Sequence, residues 1–303
     1  MTKLNKGLYL VLGTALISGV SVFLNKFAVM AISNSDVFTT IKNLVLGLIL
    51  TGIVLTPFLL DKLKKVAKAD WLKLGIIGVI GGSVPFLLFF KGLSLTTATS
   101  AAFIHKTLFI WVSLLAIYFL REKIGRLQYL ALGLLFLGNF ILLGFKFMNF
   151  GYGEFLVLIA TLMWAIEFVI AKKVLKNVDS EIVAWARMFF GAIILLGYLA
   201  ATSQINNLIT LNLNQMYWVI ISSVLLLGYV LTWYKALKYL SAVTVTSILV
   251  LASPITTCLE IITSQKFNIY QIGGSLAITL ACGFIIYSVR QIKDVQVIAP
   301  KFN

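Results

Sequence analysis

The sequence predicts an all-α integral membrane protein of ten transmembrane helices, arranged as two inverted five-helix repeats. Three observations predict it. The 303 residues are 60% apolar and 12% charged, with a mean hydropathy of +1.02, whereas a soluble domain is about 25% charged. Apolar runs long enough to cross a bilayer, about 20 residues each, recur along the whole chain. The basic residues gather in alternate joints between them. Too few charges remain to cover a water-facing surface, so a soluble enzyme, a disordered chain and a secreted disulfide scaffold are excluded.

The runs read in order as follows. Gly7–Met30 comes after Lys3 and Lys6; it has no small-residue cleavage site and is read as a retained helix. Val37–Leu60 comes next. Trp71–Phe90 follows a lysine cluster and is interrupted by Gly81-Gly82-Ser83-Val84-Pro85. Thr97–Leu120 and Leu127–Phe145 complete the first half. Gly153–Ala171 ends on Lys172 and Lys173, Glu181–Ala201 follows it, and Met216–Tyr234 carries Gly228 at its middle. Ala242–Thr263 holds Ser253-Pro254, and Tyr270–Val289 closes on Arg290. The joints are short, leaving no room for a soluble domain.

Lys and Arg number 25 against 10 Asp and Glu. With both termini in the cytoplasm of a cell membrane, 18 of the 25 fall on inside segments, from Lys3 and Lys6 through Lys62–Lys73, Arg121–Arg126, Lys172–Lys176 and Lys235–Lys238 to Arg290, Lys293 and Lys301. Lys26, Lys91, Lys146 and Lys266 lie at outside ends, and Lys42, Lys106 and Arg187 lie within spans. The Thr202–Gln215 connection has no Lys or Arg, as an external loop should. Membrane topology thus accounts for the net charge of +15 without a nucleic-acid partner. Cys258 and Cys282, both in apolar runs, read as small buried hydrophobes.

The halves repeat. GLYLVLGTALISGVSVFLNK from Gly7 aligns with GEFLVLIATLMWAIEFVIAK from Gly153, which sets Lys26 over Lys172. Asp36 and Lys42 match Glu181 and Arg187, Phe90–Leu93 matches Tyr234–Leu237, and Gly138 matches Gly283. Five spans per half is odd, so the second half must enter the membrane from the opposite side, as in many secondary transporters. The repeats divide as residues 1–148 and 149–303.

On these features the chain resembles the EamA-type members of the drug/metabolite transporter superfamily. The resemblance rests on the ten spans, the basic residue early in the second helix of each half, the Lys-Gly/Ala-Leu entry into each fourth helix, and the Ser253-Pro254 step. It implies a central cavity lined by helices 1, 3, 4, 6, 8 and 9, with helices 5 and 10 behind.

The chemistry is sparse. There is no phosphate-cradling G-x-x-x-x-G-K-[ST], no H-E-x-x-H and no G-x-S-x-G, so no cofactor, metal or catalytic residue is called for. Lys106 lies near the middle of its span, where a lysine costs roughly 2.5–3.5 kcal/mol. It is expected to face the cavity, with His105 about 100° round the helix; the alternative is a structural lysine on the carbonyls of a broken helix. Glu167 is read as a proton or cation site, a partner for Lys106 or a gate residue, or else as an acid reaching the inner surface beside Lys172 or Lys173. Trp164 shares its face. Tyr229 and Trp233 offer an aromatic wall. The breaks at Ser83, Pro85, Gly228, Ser253 and Pro254 are expected to line the cavity. Lys42 and Arg187 are read as interfacial anchors or repeat-specific pairing residues ahead of substrate binding, Glu260 as interfacial, and Gly78/Gly82 and Gly273/Ala277/Ala281 as close helix contacts.

The expected function is a secondary transporter, an exporter, of small polar organic metabolites such as amino acids, by alternating access without ATP. The alternatives are a membrane-embedded enzyme or scaffold, or a carrier of drugs and cationic compounds. Expected partners are a small-molecule substrate, protons as candidate coupling ion and the lipid bilayer, with the chain a monomer or homodimer.

Overall fold

The computed structural model describes residues 2–298, save 33, 143, 145–149, 209 and 266–267. The outer lysines Lys146 and Lys266, and Lys301, lie outside the described residues. Every regular element described is helical. In order these are α1 (Lys3–Ala31), α2 (Ser35–Val54), α3 (Pro57–Lys64), α4 (Lys68–Gly82), α5 (Val84–Leu93), α6 (Ala98–Lys106), α7 (Leu108–Leu120), α8 (Arg126–Leu142), α9 (Tyr152–Val174), α10 (Ser180–Ala201), α11 (Leu213–Tyr239), α12 (Ala242–Leu249), α13 (Ala252–Ser264) and α14 (Ile269–Ile298), with a short 3₁₀ turn at Ile205–Leu208. Among the described residues, nine helical stretches are long and apolar enough to cross a membrane, and Arg126–Leu142 is a shorter apolar helix.

Local chemistry sets the boundaries. Side chains of Thr2, Asn34, Thr97, Asn212 and Ser241 accept from backbone amides in the first turns of α1, α2, α6, α11 and α12, satisfying donors that no helix can use internally. Arg121 and Gln265 both end their helices in the left-handed region, at φ 54° and 52°. They are separated by the same 144 residues as Phe90 and Tyr234, so the two halves stop their fourth helices alike.

Packing repeats the symmetry. α1 packs on α11 as α9 packs on α4 and α5; α1 packs on α12 and α13 as α9 packs on α6 and α7. The second helices of the halves, α2 and α10, pack on each other, and so do the fifth helices, α8 and α14. These like pairs run antiparallel. Trp185 near the start of α10 bonds Thr51 near the end of α2, while Asn34 ahead of α2 bonds Gln204 after α10. Gly138 of α8 abuts Gly274 and Ile278 of α14, and Leu142 also meets Gly274.

Small residues permit the closest crossings. A Cβ on Gly82 would sit 2.2 Å from the Arg187 carbonyl oxygen, and one on Gly191 2.6 Å from that of Gly82. Backbones therefore touch where α4 crosses α10, where lipid offers no competing hydrophobic drive and packing carries association. In α14 the close contact is made by Gly274, beside the expected Gly273, with Ala277 also against Gly138. Gly283 faces open space. Cys282 is buried, but Cys258 is exposed, a correction to the reading of both as buried: in a membrane bundle an apolar run also covers its outward face with apolar residues.

Candidate functional site

The third span is broken. α4 stops at Gly82 and α5 restarts at Val84 with Pro85 at its second position. Proline supplies no amide for the carbonyl four residues back, and nothing in lipid would replace it. That carbonyl belongs to Gly81, and Trp164 Nε1 donates to it at 3.2 Å. Asn43 Nδ2 donates to the neighbouring Gly82 carbonyl at 2.8 Å, and Ser83 Oγ donates back to Gly78 and Val79. Side chains from α2 and α9 thus replace the missing helical bonds.

The same crossing brings together the buried charges. Glu167 of α9 is fully buried, and Arg187 of α10 is 7% exposed. Arg187 Nη1 lies 3.8 Å from Glu167 Oε2. Tyr234 of α11 donates to Glu167 Oε1 at 2.7 Å. The Arg187 guanidinium lies 5.1 Å from the centre of the Trp233 ring, on which Tyr229 stacks at 6.0 Å. Gly81 leaves room for Glu167, since a Cβ there would meet Glu167 Cγ at 2.7 Å. Among the described residues, Glu167 Oε2 and Arg187 Nε have no hydrogen-bond partner.

A second polar contact joins the fourth spans. α6 ends at Lys106 and α7 begins after Thr107; in the other half α12 ends at Leu249 and α13 begins at Ala252. Lys106 Nζ donates to Ser253 Oγ, bridging the halves at both breaks. A cation there also lies at the negative end of α6. Pro254 leaves the Val250 carbonyl without its helical donor, and the Ser253 amide takes it at 2.9 Å. His105 faces a separate aromatic group, its ring 4.8 Å from Trp164 and 5.4 Å from Phe89.

Several expectations are thereby corrected. Glu167 is partnered by Arg187 and Tyr234, while Lys106 is bonded to Ser253. Glu167 does not reach Lys172, which instead donates to the Leu237 and Leu240 carbonyls. Arg187 is a buried partner of Glu167 and no interfacial anchor, and Lys42, also buried, lies 4.7 Å from the Phe38 ring centre. Gly228 interrupts nothing: α11 runs unbroken from Leu213 to Tyr239, because a lone glycine keeps its amide and weakens a helix without cutting it.

At the end of the bundle that carries most basic residues, Asp179 binds Lys62 at 2.7 Å and Lys238 at 2.8 Å, and Glu181 binds Lys235 at 3.1 Å. Burial opposes the charge on Asp179, but the two ammoniums outweigh it and hold the carboxyl below its usual range. A cavity of about 280 Å³ opens beside Leu10, Thr232, Glu181 and Lys235. A larger one, about 360 Å³, lies at the opposite end among Phe23, Lys26, Glu260, Thr263 and Gln271.

The family model described as "EamA-like transporter family" matches residues 5–144 and again 151–287. The chain belongs to the EamA-like transporter family. It is a multi-pass membrane transporter of the drug/metabolite transporter superfamily, built from two repeats. No curated protein matches it. A crystal structure of a protein 13% identical superposes with a TM-score of 0.74, covering 95% of this chain and 99% of that one; at this identity the likeness concerns the fold of the transporter alone.

Proposed function

We propose that this transporter is a secondary carrier, working as an exporter, of small amphoteric metabolites such as amino acids. Two five-span halves thread the membrane in opposite senses, with both termini cytoplasmic, and expose one central site alternately to either side. The antiparallel run of like helices, α2 with α10 and α8 with α14, supports the opposed halves. The absence of a phosphate-cradling loop in the sequence supports transport without ATP.

The observation that carries the substrate class is the buried pair of Glu167 and Arg187. An acid and a base face each other beside the break in the third span, and each keeps one polar atom without a hydrogen-bond partner among the described residues. A buried pair of this kind is expensive to desolvate, and charged residues within spans commonly mark transport pathways. An amphoteric solute offers an ammonium to Glu167 and a carboxylate to Arg187 or Lys106. Trp164, Tyr229 and Trp233 supply apolar wall for its carbon skeleton. Glu167 is also the group placed to take up a proton when substrate leaves.

The test is a thermal-shift panel on purified protein, followed by counterflow in proteoliposomes. Amino acids should raise the Tm by mass action and exchange across the membrane. Stabilisation and exchange confined to organic cations would overturn the assignment.

A further inference from the structure

The two ends of the bundle are not closed alike. At the basic end Lys172 donates to the Leu237 carbonyl at 2.6 Å and to that of Leu240, tying α9 to the turn between α11 and α12. Glu122 accepts from the Ala242 and Val243 amides at 2.8 and 3.2 Å, and α7 packs on α12. Gly7 seats the start of α1 on Tyr239 and Leu240.

The repeat supplies the counterpart of the lysine, of its acceptors and of the glycine, but not of Glu122, whose matching position is Lys266. Lys26 matches Lys172, and Leu93 and Thr96 match Leu237 and Leu240. Gly153 matches Gly7, and it does seat the start of α9 on Gly92 and Leu95. The lysine contact is what differs. Lys26 is exposed, has no hydrogen bond or ion pair among the described residues, and lines the 360 Å³ cavity with Glu260. α6 and α13, the counterparts of α12 and α7, meet through Lys106 and Ser253 but pack less closely than those do.

We propose that Lys172 and Lys26 are alternating latches of the transport cycle, an inference that rests on the alternating-access reading. In the present conformation Lys172 holds shut the seam between α9 and the α11–α12 turn, and the 280 Å³ cavity at this end is lined by α1, α2, α10 and α11 instead. In the opposite one Lys172 lets go, and Lys26 donates to the Leu93 and Thr96 carbonyls, drawing the α5–α6 turn over the opening that Lys26 now lines. Carbonyls at a helix C-terminus lack internal partners and carry partial negative charge. An ammonium with three donors can hold two of them and return to water when released. One latch forms as the other opens, which keeps the two conformations close in free energy, as exchange between them requires.

The test measures a spin-label distance between Leu95→Cys and Met30→Cys in a Cys258→Ser/Cys282→Ser background. Lys172→Gln should add a second, shorter distance as the far end closes. Adding Lys26→Gln should remove that distance, and Lys26→Arg, which keeps the donors, should retain it. Glu122→Gln loosens the basic end without touching either lysine and serves if Lys172→Gln does not fold. A short distance that persists with Lys26→Gln overturns the latch and leaves alternating access standing. No second distance in any variant overturns both.

Discussion

Tyr234 donates to Glu167 across 2.7 Å, from the eighth span to the sixth, and so fixes one carboxylate oxygen while Arg187 faces the other. This arrangement makes Glu167 the least replaceable polar residue of the bundle. Removing one member of a buried charge pair costs about 3–5 kcal/mol. Glu167→Gln should therefore lower the Tm strongly and abolish exchange, and Glu167→Gln with Arg187→Gln should recover stability without recovering exchange. Thermal unfolding and counterflow on the single and double variants read the two effects separately.

Tyr234→Phe removes only the hydroxyl. The Glu167 oxygen then loses its donor, at a cost of about 1–3 kcal/mol for a buried acceptor left unpaired. A Tm indistinguishable from that of the parent would show that water takes the place of the hydroxyl.

Trp164→Phe keeps an aromatic ring, though a smaller one, and deletes the donor to the Gly81 carbonyl. The expected loss is again about 1–3 kcal/mol. It should be accompanied by faster amide exchange at residues 81–86, measured by mass spectrometry, because the break in the third span loses its outside bond.

Gly82→Ala places a methyl 2.2 Å from the Arg187 carbonyl. Backbone must move, at about 1–3 kcal/mol for overpacking. The shift would carry Arg187 away from Glu167, so exchange activity should fall more steeply than the Tm.

Asp179 is held below its usual pKa range by Lys238 and Lys62. A depressed folded value stabilises the protein above the ordinary carboxylate pKa, near 4, and that contribution disappears as pH falls through the folded value. Partly exposed pairs are worth about 0–1 kcal/mol each. Asp179→Asn should thus lower the Tm slightly at pH 7, and the gap to the parent should narrow as the pH falls below the ordinary carboxylate value. A gap that is constant with pH would assign the effect to something other than charge.

The spans, the repeat and the family were legible because they rest on hydropathy, charge placement and register, all of which are linear in sequence. The hinge at Ser83 and Pro85 was legible because proline has a fixed local consequence. The break at Thr107 was not, since neither proline nor glycine marks it. The buried partner of Arg187 was not legible: depth alone, seven residues into α10, allows an interfacial anchor as well as a pairing residue, and a helix face cannot be read from depth; Gly81 and Gly82 open α4 toward it. The pairing of Lys106 with Ser253 joins residues 147 apart, a relation that only tertiary packing creates.

The hinge at Pro85 has no twin, for α11 runs straight through the matching level. Both fourth spans are broken, but the third span of one half is jointed and the matching span of the other is not, so the related halves are mechanically unequal. Bending during turnover will concentrate in the jointed third span, so the half-saturating concentrations for entry and exit should differ, although at equal solute concentrations and without an ion gradient the two opposed fluxes stay equal.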